Sequence, residues 1–224
     1  MNRNILALYG IAGPQNFKDT TKADALTRMK DIIASGITAF QYRDKGTTWE
    51  SSAERVSYVQ ELRDYAKHQG VPFIINDDVA LALAVGADGI HVGQNDMKLE
   101  DFLQMIPTDM YVGLSINTLT EMQDVLNPRI DYLGLGPIYP TLTKKDATPS
   151  IGVPAIPAYL DVNRLGLPIV GIGGISLDNM AELKTAGLDG VAVISLLTEA
   201  PDLARTLTEM THIWENTSNG TDTK

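Results

Sequence analysis

Eight short apolar segments, each followed by a segment with helical spacing, constrain this chain of 224 residues more than any other feature. Apolar runs rich in bulky residues are typical of strands that are buried on both faces of a parallel sheet. Parallel neighbours need a crossover connection between them, and a helix usually supplies it. The predicted strands are 5–11, 37–43, 73–75, 87–92, 110–114, 130–135, 167–172 and 190–194.

The intervening segments are predicted to be helices. In the first of them the apolar residues lie on one side, and Gly36 follows as a stop signal. Pro154 and Pro157 leave the start of the sixth helix open, because proline interrupts helical hydrogen bonding. The predicted helices are 22–34, 49–69, 79–85, 99–106, 118–126, 153–162, 177–186 and 201–214.

The number of units, their alternation and the chain length favour an α/β fold, a single-domain (β/α)8 TIM barrel over residues 1–215. No linker or shift in composition divides the chain, and the polar segment 216–224 is expected to fray. A doubly wound sheet is the alternative, because the pattern does not show whether the sheet closes. In a barrel, the functional residues are expected beyond the C-terminal ends of the strands.

Composition narrows the classes of function. A net charge of −10 argues against general nucleic-acid binding and means that an anionic substrate needs a local basic cluster. The sequence contains no apolar run of about 18 residues that predicts a membrane span. The chain has no cysteine, which excludes disulfides and thiolate ligands and fits a cytoplasmic protein. Small-molecule substrates are the expected partners, and a homo-oligomer stays open.

Carboxylates follow two successive predicted strands in the segment 71–96. Asp77 and Asp96 each come just after a strand, and parallel strands end on the same side of the sheet. Two carboxylates at one edge suit Mg²⁺, which takes oxygen ligands and usually keeps water or substrate phosphate as well. The alternative is helix capping or a turn, and capping is the favoured interpretation for Asp78.

Gln41, Arg43 and Lys45 alternate along and just beyond the second predicted strand. Side chains two residues apart point to the same face of a strand, so all three are predicted to face one way. Arginine offers a planar fork of donors and lysine a compact charge, which together suit a diphosphate. The alternative is a strand that leaves the core and enters solvent.

Later loops carry further polar residues. Ser115 is predicted to follow the fifth strand, although helix capping explains its neighbourhood equally well. The loop 136–152 is the longest in the chain, and Thr141, Thr143 and Lys144 give it hydroxyls and a cation. Long loops in compact domains are often functional.

Glycines end the seventh predicted strand, in the sequence VGIGGI at 170–175, and Ile194 and Ser195 end the eighth. Loops after these two strands form the usual phosphate site of such barrels, and glycine lets backbone N–H groups approach an anion. Tight helix–strand packing is the alternative for the glycines. His91 is interpreted as a core residue, or as one that lies behind the site residues, rather than as a catalytic base. The sequence shows no nucleophile paired with a base. This favours a transfer in which diphosphate leaves.

Five motifs closely resemble those of the thiamine-phosphate synthase family, in the same order and at similar spacing. The resemblance runs from the first strand to Ser195. It implies a (β/α)8 barrel that joins a hydroxymethylpyrimidine diphosphate to a thiazole phosphate with Mg²⁺, giving thiamine phosphate and diphosphate. The motifs are QYRDK at 41–45, VPFIINDD at 71–78, DGIHVGQND at 88–96, LGLGPIYPTLTKK at 133–145 and VGIGGI at 170–175.

The resemblance also implies roles for individual residues. Asp77 and Asp96 would bind Mg²⁺. Arg43, Lys45 and Lys144 would be the catalytic cations, which stabilise charge as diphosphate departs. The residues that would hold the pyrimidine diphosphate are Gln41, Arg43, Lys45, Asn76, Ser115 and Lys144. The residues that would hold the thiazole phosphate are Thr141, Thr143, Gly174, Ile194 and Ser195.

One departure and two other functions stay open. After Ser115 many relatives carry Ala-His-Thr, whereas this chain has Ile116, Asn117 and Thr118, which leaves a pocket contact undefined. A thiazole tautomerase-like paralogue shares the barrel and the phosphate loops but lacks the diphosphate set. A non-catalytic sensor of a phosphate ligand shares the fold but has no need of a metal-assisted leaving-group site.

Overall fold

The computed structural model describes residues 2–94, 99–141 and 149–218. Within these residues eight parallel strands form a closed barrel in sequence order, and the last strand pairs with the first. The predicted (β/α)8 barrel is confirmed, and closure excludes the doubly wound alternative. The strands are β1 (Leu8–Ala12), β2 (Ala39–Tyr42), β3 (Phe73–Asn76), β4 (Gly89–Val92), β5 (Tyr111–Ile116), β6 (Tyr132–Leu135), β7 (Ile169–Ile172) and β8 (Gly190–Val193).

Helices surround the barrel. Short 3-10 helices occur at Arg3–Leu6, Pro14–Asn16 and Val153–Ala155 in the described part of the chain. The α-helices there are α1 (Lys22–Ala34), α2 (Ser52–His68), α3 (Val79–Val85), α4 (Leu99–Met105), α5 (Leu119–Asp124), α6 (Ile156–Val162), α7 (Met180–Thr185), α8 (Ser195–Thr198) and α9 (Leu203–Asn216).

The bounds of α1 and α3 match the prediction, and local capping explains why. The Thr21 side chain accepts a hydrogen bond from the backbone N–H of Asp24, and Asp78 accepts one from Leu81. Thr118 caps α5 in the same way. These caps satisfy N–H groups that have no partner inside the helix. The predicted capping role of Asp78 is therefore confirmed.

Other predicted bounds were wrong at their ends. Predicted strand 5–11 begins with a 3-10 helix, and β1 starts only at Leu8. Ile37, Ala87 and Ile130 precede their strands, yet they are buried, with at most 7% of their surface exposed. Buried residues next to a strand are apolar as well, so an apolar run in the sequence is longer than the strand that pairs with its neighbours. The sequence also missed α8, and α9 ends at Asn216, inside the predicted tail; residues 219–224 lie outside the described residues.

Successive residues of each strand point alternately to two apolar layers, one outside the sheet and one inside the barrel. Side chains on the outer face of the sheet pack against the helices in one large cluster, which includes Phe40, Phe73 and Leu133. Inner-face side chains such as Tyr9 and Tyr132 form a second, smaller cluster inside the barrel. Strand alternation therefore determines which residues can reach the interior.

Four side chains join neighbouring strands at the N-terminal end of the barrel. Thr38, Asp88, Asp131 and Asp189, here called the strand-entry residues, each directly precede an even-numbered strand. Each side chain accepts a backbone N–H at the start of the preceding strand, and its own N–H donates to the carbonyl of that same residue. The side-chain bonds are Leu8 to Thr38 (2.9 Å), Phe73 to Asp88 (2.9 Å), Val112 to Asp131 (2.8 Å) and Ile169 to Asp189 (2.8 Å).

We expect Asp131→Ala to lower the free energy of unfolding by about 1–3 kcal/mol, because it leaves the partly buried N–H of Val112 without its acceptor. Urea denaturation measures this change. Asp109→Ala is the control, since Asp109 is an exposed turn residue near the same end of the barrel. Equal unfolding midpoints for the two variants would contradict the role assigned to the strand-entry residues.

Candidate active site

Two adjoining cavities open at the C-terminal ends of the strands. The first, here called the Gln41 cavity, has about 500 Å³ of empty space, which includes space open to solvent. The second, the Gly174 cavity, has about 440 Å³ by the same measure. Ile172, Ala192 and Ile194 line both cavities, so the two share one apolar wall.

The Gln41 cavity brings together four of the six residues that the resemblance assigns to the pyrimidine diphosphate. Gln41, Arg43, Asn76 and Ser115 all line it. Two expectations about their position need correction, because Asn76 is the last residue of β3 and Ser115 lies inside β5 rather than after it. The inward face of a strand near its C-terminal end already reaches the barrel mouth. Asn117, where the chain departs from the family pattern, lines the same cavity.

Lys45 and Asp77 form an ion pair at the mouth, with 2.8 Å between Nζ and Oδ2. The amide of Asn76 also donates to Asp77. The backbone N–H of Asp77 donates to the carbonyl of His91 at 2.9 Å, which ties the end of β3 to β4. Asp77 has φ of +62°, a conformation that costs a non-glycine residue energy and often marks functional sites. The structure thus joins Lys45, which was predicted to bind phosphate, to Asp77, which was predicted to bind the metal ion.

Arg43 places a guanidinium in partly buried surroundings beside this pair. Burial lowers the pKa of Arg43, and the nearby Asp77 carboxylate opposes that shift. Since the ordinary pKa of arginine is far above neutral, the group stays charged at neutral pH. A partly desolvated cation interacts more strongly with an anion than a cation in water does.

Asp77 fits a magnesium ligand in its chemistry and its place. Among the described residues no group of three or more acidic or histidine side chains is arranged to hold a metal ion. Mg²⁺ is usually held by one or two carboxylates together with water and substrate phosphate. One carboxylate at the end of β3 is consistent with that pattern. Asp96, the other predicted ligand, lies outside the described residues.

A buried acidic residue, to which the sequence analysis assigned no role, organises the loop that carries Lys45. The Asp44 side chain is 4% exposed and accepts a hydrogen bond of 2.7 Å from the indole of Trp49. Arg55 of α2 faces Asp44 at 3.5 Å and Asp78 at 2.6 Å. Arg55 therefore ties the loop after β2 to the start of α3, next to Asp77.

The Gly174 cavity collects most of the residues assigned to the thiazole phosphate. Thr141, Gly174, Ile194 and Ser195 line it. β8 ends at Val193, so the prediction that Ile194 and Ser195 end this strand was wrong; Ser195 is instead the first residue of α8. Thr143 and Lys144 lie outside the described residues.

Tight packing, the alternative interpretation of the glycine-rich segment, applies at two of its glycines. A Cβ atom on Gly171 would lie 2.8 Å from Leu188, which follows α7, and 3.4 Å from Leu183 of α7, so this glycine serves the packing of β7 against the outer layer. A Cβ on Gly174 would lie 2.7 Å from the Pro140 carbonyl oxygen and from Tyr139, and Gly174 has φ of +66°. Gly174 therefore permits a close approach of two loops at the cavity wall.

A chain of buried hydrogen bonds crosses the barrel beneath the Gln41 cavity. It links Gln41, Tyr9, Tyr132, His91 and Ser115 and is here called the buried polar chain. Gln41 Nε2 donates to Tyr9 Oη at 3.0 Å, and the two tyrosine hydroxyls are 2.9 Å apart. Tyr132 Oη is 3.1 Å from His91 Nδ1, and His91 Nε2 is 3.0 Å from Ser115 Oγ. Sequence analysis missed both tyrosines in this chain.

Glycine makes room for the buried polar chain. A Cβ on Gly113 of β5 would lie 2.2 Å from the Tyr132 ring and 2.4 Å from His91 Nδ1. Both tyrosines are at most 1% exposed, and burial raises the pKa of each hydroxyl above its usual range. The tyrosines are therefore neutral donors and acceptors at neutral pH. His91 is buried as expected, but it also lines the cavity.

The closed barrel and the joined cavities at its C-terminal mouth place this chain in the class of (β/α)8-barrel enzymes. The family model described as thiamine monophosphate synthase matches residues 8–197. The chain belongs to the thiamine monophosphate synthase family. No helix in the described ranges has the length and apolar character needed to cross a membrane.

Individual relatives agree with this assignment. The thiamine-phosphate synthase of Lactococcus lactis is 46% identical over 195 residues, which cover 87% of this chain and 88% of the relative. That of Limosilactobacillus fermentum is 39% identical over 210 residues, covering 94% and 97%. The solved structure of thiamine phosphate pyrophosphorylase from Pyrococcus furiosus superposes with a TM-score of 0.82 at 31% identity, covering 96% and 98%.

We expect Gly174→Ala to weaken binding of the thiazole phosphate about tenfold, or about 1.4 kcal/mol, because the added Cβ displaces the wall formed by Tyr139 and Pro140. Calorimetric titration measures the affinity. Gly70→Ala is the matched control, since Gly70 has a similar φ of +70° but open space around it. If Gly174→Ala folds and binds the thiazole phosphate as tightly as Gly70→Ala does, the thiazole phosphate site lies elsewhere.

Proposed function

We propose that this chain condenses 4-amino-2-methyl-5-(diphosphooxymethyl)pyrimidine with 4-methyl-5-(2-phosphooxyethyl)thiazole, giving thiamine phosphate and diphosphate. Two cavities that share one wall carry this proposal, because they suit two substrates that must meet. The family assignment and the relatives of this chain support the transferase reaction. They favour neither the tautomerase-like function nor the sensor function.

The pyrimidine diphosphate belongs to the Gln41 cavity in this proposal. Arg43 and Lys45 supply positive charge at its edge, and Asn76 supplies an amide beside them. Lys144 is proposed to reach the same diphosphate from the loop after β6. Gln41 and Ser115, which line the same cavity, are proposed to hold the pyrimidine ring. Local cations meet the need for a basic cluster in a chain of net charge −10.

The thiazole phosphate belongs to the Gly174 cavity. Thr141 and Ser195 offer hydroxyl groups there, and Gly174 and Ile194 form part of the wall. Thr143 is proposed to add a second threonine hydroxyl. The shared wall at Ile172 and Ala192 brings the thiazole ring next to the pyrimidine. Two oriented substrates react as if they were one molecule, which removes much of the entropic barrier.

Asp77 and Asp96 are proposed to hold Mg²⁺. When bound, the ion would neutralise charge on the oxygens of the leaving diphosphate. Lys45, which contacts Asp77 in this structure, lies where its ammonium can also face the diphosphate. Charge stabilisation at this point lowers the barrier because the charge develops as the bond breaks.

The reaction needs no general base from the protein. The C–O bond between the methylene carbon and the diphosphate breaks, and the electron pair leaves with the diphosphate. The aminopyrimidine stabilises the methylene cation, and the thiazole nitrogen then forms the new C–N bond. That nitrogen carries no proton to remove. The protein contributes positioning and electrostatic stabilisation, consistent with a mouth where His91 is engaged in hydrogen bonds.

We place the reaction in the cytoplasm, since a chain without cysteine suits a reducing compartment. The direct test is to incubate the purified protein with both substrates and Mg²⁺ and to follow product by chromatography. Thiamine phosphate and diphosphate are expected in equal amounts. No product at saturating substrate would contradict the transferase proposal and favour the sensor or the tautomerase-like function.

Neighbouring carboxylates allow a matched test of the metal site. Asp77→Asn should lower turnover about a hundredfold at limiting Mg²⁺, because an amide is a weaker ligand than a carboxylate. Asp78→Asn is the control, since asparagine still caps α3 and Asp78 faces Arg55 rather than Lys45. A Mg²⁺ titration of the initial rate compares them. The assignment fails if Asp77→Asn keeps the Mg²⁺ dependence of the parent protein.

Lys144→Ala separates stabilisation of the leaving group from simple binding. If Lys144 acts on charge that develops as diphosphate leaves, both kcat and kcat/KM should fall. The loss should be about 3 kcal/mol, or about a hundredfold in single-turnover rate at saturating substrate. Lys145→Ala should be nearly silent. If Lys144→Ala raises KM and leaves the single-turnover rate unchanged, Lys144 stabilises the bound substrate and the transition state equally, which would contradict this role.

A further inference from the structure

The buried polar chain has a direction, because each of its hydrogen bonds restricts the next. Gln41 directs its Nε2 donor at Tyr9, so the hydroxyl proton of Tyr9 is available for Tyr132. In that direction the hydroxyl of Tyr132 would donate to His91 Nδ1, which is 3.1 Å away. With Nδ1 as acceptor, neutral His91 would carry its proton on Nε2 and donate to Ser115 Oγ.

The two ends of the chain are therefore coupled. With Nε2 on Tyr9, the amide of Gln41 presents its carbonyl oxygen to the cavity that it lines. Ser115, which accepts from His91, keeps its hydroxyl proton for the cavity. A flipped Gln41 amide would reverse every bond and exchange donor for acceptor at both ends. Burial keeps both tyrosines protonated, so neither tyrosine reverses the direction of the buried polar chain by ionising near neutral pH.

We propose that the buried polar chain is polarised from Gln41 to Ser115 and sets the hydrogen-bonding specificity of the Gln41 cavity. An acceptor at Gln41 and a donor at Ser115 select an aromatic heterocycle that has an amino group and a ring nitrogen acceptor. The same cavity disfavours the oxo analogue, whose carbonyl and ring N–H reverse the pattern. Tyr9, Tyr132 and His91 act as positioning residues in this scheme. The inference rests on the proposed function for the identity of the substrate.

The first measurement needs no substrate. The whole protein contains three histidines, so ¹⁵N-histidine labelling gives few signals. The signal that is missing in His91→Gln belongs to His91. In the parent protein we expect the neutral form of His91 to carry its proton on Nε2. Tyr132→Phe removes the donor to Nδ1, and a rise in the Nδ1–H tautomer is expected. A parent protein whose neutral His91 carries its proton on Nδ1 would overturn the proposal.

The second measurement concerns specificity. The ratio of kcat/KM for the amino pyrimidine diphosphate to that for its oxo analogue should be at least about a hundredfold in the parent protein. Tyr9→Phe frees the Gln41 amide to turn, so the ratio should fall about tenfold. Tyr58→Phe is the control, because its hydroxyl bonds the Lys22 carbonyl on the outer helices at 2.8 Å. That variant should keep the parent ratio.

These results separate the inference from the proposed function. A protein that makes no thiamine phosphate yet holds His91 in the Nε2–H form would contradict the proposed function and leave the chain polarity standing. An active protein whose amino-to-oxo ratio is the same in Tyr9→Phe and Tyr58→Phe would overturn the inference alone. A structural role without polarity predicts equal losses of kcat/KM for both pyrimidines, and that outcome also overturns it.

Discussion

Pairing between β1 and β8 is the interaction on which the rest of this structure depends. Leu8 pairs with Val191, Tyr9 with Ala192 and Gly10 with Val193, and these backbone contacts close the barrel. Closure removes both exposed edges of the sheet. It also directs the C-terminal ends of all eight strands to one mouth, where residues distant in sequence become neighbours.

The inner face of the barrel combines stability with chemistry. Its N-terminal end carries backbone hydrogen bonds to the strand-entry residues, and its middle is filled by apolar side chains and the two buried tyrosines. The cavities begin directly above this layer. Substrates at the mouth therefore rest on side chains that packing already holds in place, as catalysis by positioning requires.

Part of this arrangement can be predicted from sequence, because it follows from periodicity. The order of strands and helices depends on local patterns, and Gln41 and Arg43 share a face because they are two residues apart. The cap at Asp78 is local too. Even so, apolar patterns overestimated the length of several strands. The polar Ser115 interrupts the apolar run and wrongly indicated the end of β5, which continues to Ile116.

The remaining features depend on contacts across the barrel, which no local pattern contains. Tyr9 and Tyr132 are 123 residues apart in the chain and meet only because the sheet closes. The ion pair of Lys45 and Asp77 likewise joins two loops that were assigned separately to phosphate and metal. A polar side chain in an apolar strand signals that a partner exists, but the fold decides which partner.

In the proposed reaction the two substrates occupy the two adjoining cavities and meet at the residues that line both of them. The most direct measurement is a crystal structure of the protein with Mg²⁺, a non-reactive analogue of the pyrimidine diphosphate and the thiazole phosphate. Our account predicts the diphosphate beside Arg43, the thiazole phosphate beside Gly174, and the thiazole nitrogen about 3–3.5 Å from the methylene carbon. Both phosphate groups in one cavity, or reacting atoms separated by the wall at Ile172, would contradict it.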